Sequence, residues 1–267
     1  MIKLNGVTIK PTMFPDQTSQ VWQIEKGLLR TTYPQGKVAK IEWDFTHEGE
    51  TMHLAQLRDL ISPYYDRFEL YMPFLPYGRQ DKSISNDSTF ALCSFANFIN
   101  HLKFDEVSSL DTHNADNASH FINNFKDEFP RGHIEHAMFK SNSTMTVYPD
   151  DGARKRYQGM LHWHYAVGHK TRDPKTGYIT SYHLDSEGTS VDGQNVLIVD
   201  DICDGGMTFI KLANELTQQG ARVITLYTTH GIYSKGLKPM VEAGISRFFS
   251  YKGEATELHD GSICYSK

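Results

Sequence analysis

The stretch Val196-Leu197-Ile198-Val199-Asp200-Asp201-Ile202-Cys203-Asp204-Gly205-Gly206-Met207-Thr208 decides how the rest of the chain is read. Its opening apolar run describes a strand covered on both faces, the habit of parallel sheets. Two adjacent carboxylates close that strand. A glycine pair then opens a helix whose inward stripe is Phe209, Ala213 and Leu216, with Gly220 as its expected stop. Backbone N–H groups at such a helix start can cradle a phosphate, and glycines let the anion approach closely. The acids would repel that phosphate, so their work lies elsewhere: accepting hydrogen bonds from the 2- and 3-hydroxyls of a ribose. An Asp-rich turn that only caps its helix is the plainer alternative.

Working outward, short apolar strands alternate with amphipathic helices, which predicts an α/β protein with mainly parallel sheets. Leu54, Leu57, Ile61 and Tyr64 recur at helical spacing, and Phe68 to Phe74 reads as a strand. Ser88 is placed to cap a second helix with the stripe Ala91, Phe95, Phe98 and Leu102. Val107 to Leu110 is a further strand, and Pro130-Arg131-Gly132 breaks the pattern. Beyond it, Thr146 to Tyr148, His164 to Val167 and Val223 to Leu226 supply strands, and Gly168 to Gly177 reads as a polar loop. The expected division is a first domain over 1–135 and a second over 136–267. Polar clusters follow Phe74, Leu110, Tyr148, Val167, Val199 and Tyr227, at the carboxyl ends of strands where open α/β sheets bind ligands.

A chain of 267 residues suits two modest domains. A net charge of −5 gives no reason to expect a nucleic acid, so any polyanionic ligand must be held by local chemistry. No apolar run reaches the roughly 18–20 residues that span a bilayer, and Met1 to Gly6 has no apolar leader, so neither a membrane nor a signal peptide is expected. Cys93, Cys203 and Cys264 lie far apart, which fits a reducing, cytoplasmic setting. His162-Trp163-His164 and His133-Ile134-Glu135-His136 lack both a cysteine partner and metalloprotease spacing and are read as structural.

The acidic turn resembles the phosphoribosyl-diphosphate motif shared by type I phosphoribosyltransferases and ribose-phosphate pyrophosphokinases. Asp200, Asp201, Asp204, Gly206 and Thr208 match it. Gly205 stands where a Thr is usual, and Met207 where the pyrophosphokinases usually have Gly. The turn alone does not separate an enzyme that makes phosphoribosyl diphosphate from one that consumes it. Further segments resemble the pyrophosphokinase family in its order: Phe14-Pro15-Asp16-Gln17-Thr18, Tyr77-Gly78-Arg79-Gln80-Asp81-Lys82, Leu110-Asp111-Thr112-His113, Tyr148-Pro149-Asp150-Asp151-Gly152, Gly168-His169-Lys170-Thr171-Arg172 and Thr229-His230-Gly231-Ile232-Tyr233-Ser234-Lys235-Gly236.

The resemblance implies two tandem domains of phosphoribosyltransferase type, with ATP lying across their junction. It implies transfer of a diphosphoryl group from Mg·ATP to O1 of ribose 5-phosphate. ATP would be bound by Phe14, Asp16, Arg79, Gln80, Asp81 and His113, and Mg²⁺ by His113 and Asp150. Ribose 5-phosphate would be bound by Arg172, Asp200, Asp201, Asp204, Gly205, Gly206, Met207 and Thr208. Lys170 and Arg172 would be the catalytic cations, closing over the transferred group from a mobile loop. A dimer-based homo-oligomer is implied as well. The alternatives are a phosphoribosyltransferase that consumes the diphosphate and a non-catalytic regulatory subunit; the presence of Lys170, Arg172, Asp200 and Asp201 speaks against the second.

Overall fold

A computed structural model of the chain describes residues 1–22, 24–29, 37–161, 163–172, 179–185 and 188–266. The chain divides into two compact units, Met1–Phe129 and Pro130–Lys267. The division falls ahead of the expected 135/136, which would cut through a single helix, Arg131–Ser141.

The first unit contains β1 (Ile2–Leu4), β2 (Val7–Thr8), β3 (Thr12–Met13), β4 (Ser19–Gln20), α1 (Lys26–Leu29), β5 (Val38–Trp43), α2 (Glu50–Ile61), a 3-10 turn, β6 (Arg67–Met72), α3 (Ala91–His101), β7 (Glu106–Leu110), α4 (Ala115–Phe121) and β8 (Phe125–Glu128). Its main sheet has the order β2-β1-β5-β6-β7-β8. The run β5-β6-β7-β8 is parallel, and β1 and β2 close one edge antiparallel. The core gathers Ile41, Trp43, Leu54, Leu57, Ile61, Leu70, Met72 and Leu92. Leu54, Leu57 and Ile61 are buried as their spacing predicts, but Tyr64 falls in the 3-10 turn and is exposed.

The helix expected from Ser88 begins later; Phe95 and Leu102 of its expected stripe are buried and Phe98 packs half-buried against the core. Ser88 Oγ instead accepts from the amides of Ile84 (2.8 Å) and Ser85 (2.9 Å), closing a serine-rich turn. α3 therefore starts at Ala91 without a side-chain cap and buries Leu92, Phe95, Ala96 and Ile99.

The second unit contains α5 (Arg131–Ser141), β9 (Met145–Tyr148), α6 (Asp151–Tyr157), β10 (Tyr165–Arg172), β11 (Ile179–Asp185), β12 (Asn195–Cys203), α7 (Met207–Gln218), β13 (Val223–Gly231), α8 (Lys238–Glu242), β14 (Ile245–Ser250), β15 (Gly253–Glu257) and β16 (Ile263–Ser266). The sheet order is β11-β10-β9-β12-β13-β14-β15-β16. Strands β10, β9, β12, β13 and β14 are parallel, flanked by antiparallel β11 on one side and β15 and β16 on the other.

Two readings of this unit are corrected. The segment expected to be a polar loop from Gly168 continues β10 as far as Arg172 and pairs antiparallel with β11, with an irregularity between Thr171 and Arg172. Strand β12 does not stop at Val199: it carries Asp200 and Asp201 within it, because β13 continues alongside and pairs Asp200 with Thr228 and Ile202 with His230. α7 buries Phe209, Leu212, Ala213 and Leu216, and Gly220, at φ 86°, follows its end in the left-handed conformation that glycine takes without strain.

Candidate active site

β9 is the point where the strand order of the second unit reverses: the chain moves from β9 to β10 on one side and later returns as β12 on the other. Such a reversal leaves a crevice at the carboxyl ends of the strands. Asp150 follows the end of β9, and Asp200 lies in β12. The Asp200 carboxyl is desolvated although the residue keeps some surface. That burial raises its pKa well above the ordinary range, and the charges of Asp201 and Asp150 push it the same way. Asp201 is buried, and its backbone N–H donates to Asp200 Oδ1 at 3.0 Å. Asp150 Oδ1 accepts from the Ala153 amide at 3.0 Å and so caps α6. The predicted metal ligand thus commits one oxygen to a helix end.

The turn after β12 is braced by a second loop. The Cys203 carbonyl accepts from the amides of Ile232 (2.8 Å) and Tyr233 (3.1 Å), and Ser234 Oγ donates to Asp204 Oδ1 at 2.6 Å. Cys203 is buried, and burial, then Asp200 and Asp204, push its thiol up to about 12; it is a packing group and not a nucleophile. Gly206 sits at φ 75° immediately before α7, and a Cβ there would lie 2.8 Å from Met240 Sδ. The left-handed conformation and the close thioether both require glycine. No side chain caps α7 at Gly206, so its first amides are not occupied by a side-chain cap. Met207 is exposed and Thr208 half-buried on that first turn.

The backbone of Lys170 and Arg172 belongs to β10, with Lys170 opposite Tyr182 and Arg172 opposite Ile179. The side chains of Lys170 and Arg172, and residues 173–178, lie outside the described part of the structure. Beside them, His169 Nδ1 lies 3.7 Å from Asp151 Oδ2.

In the first unit, the segment after β6 is anchored by Tyr77. Its hydroxyl donates to Glu48 Oε1 at 2.7 Å, and its ring packs on Phe95 with centroids 5.3 Å apart. Arg79 and Gln80 are exposed. Asp81, read from sequence as an ATP contact, has its carboxylate engaged inside the protein: Oδ2 accepts from Asn114 Nδ2 at 2.6 Å and from Asn117 Nδ2 at 3.2 Å. Asn114 also caps α4 through Asn117 N–H at 3.1 Å. The Arg79–Gln80 segment is thereby tied to the loop that carries His113, which is exposed. Phe14 is exposed on the turn joining β3 to β4. The Asp16 carboxylate accepts from the Thr18 hydroxyl (2.7 Å) and amide (3.0 Å), which lower its pKa in that order. Gln17 takes φ 69° in this turn.

Sequence reasoning assigns no role to Ser234, Asn114 or Asn117. The one signal available was an Asn three residues before another at a helix start, the spacing of an N-cap.

An open parallel sheet with an acidic pair on β12 and a glycine-opened helix at its reversal defines a protein of phosphoribosyltransferase type. The phosphoribosyl transferase domain model matches residues 163–257. A solved structure, phosphoribosylpyrophosphate synthetase from Mycobacterium smegmatis, shares the fold with TM-score 0.65 at 20% identity, covering 89% of this chain and 78% of that one. Ribose-phosphate pyrophosphokinase of Pyrococcus abyssi is 27% identical over 97% of this chain and 88% of its own. The enzyme of that name from Pyrococcus furiosus is 28% identical over 87% and 80%. The chain is thus similar to ribose-phosphate pyrophosphokinases over most of its length. Among the described residues no helix is long and apolar enough to cross a membrane.

Proposed function

We propose that the chain is a ribose-phosphate diphosphokinase, which converts ATP and ribose 5-phosphate to phosphoribosyl diphosphate and AMP. The observation that carries this reading is the β12–α7 turn. Asp200 and Asp201 are assigned to accept from the ribose diol. The uncapped start of α7, opened by Gly206, offers its amides to the 5-phosphate, with Asp204, Gly205, Met207 and Thr208 around it.

Phosphoryl transfer needs positioning and neutralised charge more than covalent help. O1 of the sugar forms a bond to the β-phosphorus as the bond from that phosphorus to the bridging oxygen of AMP breaks; that oxygen keeps the electron pair as part of AMP, and the O1 proton passes to water. Lys170 and Arg172 are assigned to the transferred group, Arg172 also to the sugar phosphate. Phe14, Asp16, Arg79, Gln80 and His113 are assigned to ATP, with Asp81 holding the loop in shape. Arginine suits the phosphates by its bidentate geometry.

Mg²⁺ supplies charge neutralisation on the phosphates when bound. Among the described residues no group of three or more His, Cys, Asp or Glu side chains is gathered to hold a metal ion, so Mg²⁺ would rest on the substrate phosphates, its own waters and a single carboxylate. Asp150 would hold it through one oxygen, the other being committed to the start of α6. The reading includes a dimer-based homo-oligomer, which light scattering on the purified chain tests.

The deciding measurement is AMP release from ATP by the purified chain, dependent on both Mg²⁺ and ribose 5-phosphate. No AMP, together with consumption of phosphoribosyl diphosphate in the presence of a nucleobase, would make it a transferase instead.

A further inference from the structure

The β12–α7 turn has an electrostatic problem. Residues 200–208 contain three carboxylates and no basic side chain, yet the reading above places a dianionic phosphate at their end. Arg172, assigned to that phosphate from β10, is shared with the transferred group, and the loop after β13 supplies a further cation. Ile232 and Tyr233 are hydrogen-bonded to Cys203 O, and Ser234 to Asp204, so the loop is stitched to the turn at three successive residues. Tyr233 is buried beneath it, which fixes the loop from below. On the far side Gly236, at φ 70°, turns the chain so that Glu257 Oε2 accepts from the amides of Leu237 (2.6 Å) and Lys238 (3.0 Å). Lys235 lies between these two anchors. Its stem passes over Gly205, where Cδ and Cε each come within 3.7 Å of the position a Cβ would take.

The one departure from the family's pattern at 205, Gly in place of a hydroxyl residue, therefore meets Lys235 in space. Gly205 has no side chain over which the lysine stem must climb. Lys235 is exposed, and among the described residues it makes no ion pair or hydrogen bond. A long apolar stem lying on backbone with its ammonium left to solvent is the arrangement of a cation available to a ligand.

We infer that Lys235 is a further substrate-binding residue, which holds the phosphate on C5 of the sugar in the way a hydroxyl side chain at 205 would otherwise do. This rests on the reading of the turn as the sugar-phosphate site. It adds a residue that the turn sequence does not contain.

Calorimetric titration of the full-length protein with ribose 5-phosphate tests it, on wild type, Lys235→Met and Lys235→Arg. Methionine keeps the stem over Gly205 and removes only the charge. Lys235→Met is expected to weaken binding about ten- to hundredfold, the usual loss for a hydrogen bond to a charged group. Lys235→Arg should stay within about threefold of wild type, because the charge remains. ATP affinity and melting temperature should be unchanged in both. Binding by Lys235→Met equal to wild type overturns the inference and leaves the reading of the turn intact. Equal losses in the Met and Arg variants overturn it too, by showing that the stem and not the charge matters. Wild-type protein that takes up no ribose 5-phosphate overturns both. In the Lys235→Met background, Gly205→Thr should recover part of the affinity, since its Cβ has ordinary contact distance to the stem.

Discussion

The Asp81 carboxylate and the Asn114 amide meet at 2.6 Å, and this single contact joins the segment bearing Arg79 and Gln80 to the start of α4. Asp81 thus holds the Arg79–Gln80 loop in shape, its Oδ2 accepting from two asparagines. Asp81→Ala and Asn114→Ala should each weaken ATP binding about tenfold, and the double variant should be little worse than either one. Calorimetry on the three variants measures the coupling. Strictly additive losses would mean that Asp81 meets the nucleotide directly.

Gly206 and Gly205 are neighbours with opposite tolerance. Gly206→Ala forces a side chain into the left-handed region and against Met240 Sδ at 2.8 Å. It should cost about 1–3 kcal/mol and lower sugar-phosphate affinity as the helix start shifts. Gly205→Ala meets only the Lys235 stem at 3.7 Å and should melt like wild type. Thermal unfolding of the pair tests this; equal melting temperatures would refute it.

Asp200 is held in the fold at a cost. Burial first, then Asp201 and Asp150, raise its pKa above the ordinary 3.8. A carboxyl whose folded pKa is raised binds its proton more tightly in the native state, so its contribution to stability falls as pH rises from 3.8 toward the raised value. Asp200→Asn imitates the protonated form. It should raise the melting temperature at neutral pH while weakening ribose 5-phosphate binding about ten- to hundredfold. A variant that binds the sugar phosphate as well as wild type would remove Asp200 from the site.

Glu50 shows the opposite sign. Burial pushes its pKa up, but the terminal ammonium, Trp43 Nε1 at 2.9 Å and Thr46 outweigh burial and bring it down to about 2. The associated stability is complete above the ordinary 4.5 and is lost as pH falls toward 2. At pH 7 it is worth about 3 kcal/mol. Urea unfolding of Glu50→Gln should show that deficit at neutral pH and converge on wild type in acid. Parallel curves across the window would exclude the ion pair as its source.

Much of the fold and of the β12–α7 turn is legible in the residues, and the failures have physical causes. β12 announces itself because a strand covered on both faces must be apolar throughout, and Val196 to Val199 has no other use. Its extension through Asp200 and Asp201 is not legible, since β13, not the local sequence, sets the length. The polar half of β10 and its partner β11 escape for a related reason. Gly168 to Arg172 is polar on both faces, as an outer pair of strands can be, and its pairing partner lies beyond the turn. Ser88, Asp16, Asp81 and Asp150 invite a reading in terms of what their oxygens could offer a ligand or a helix end. In each case a nearby amide or hydroxyl claims at least one of them, the local competition that short polar side chains carry with them.

The reversal of strand order at β9 also has a consequence for the nascent chain. Met145 pairs with Val196, a separation of 51 residues by their numbers (196 − 145). During synthesis at about 5–20 residues per second, one edge of β9 waits about 3–10 s for β12. Met145, Thr146, Val147 and Tyr148 are all buried in the finished sheet. Until β12 arrives they form a bare apolar edge, the surface most open to pairing with another chain. The strand at which the order of the second unit reverses is therefore made well before the strand that covers it, and translation rate sets how long that edge stands open.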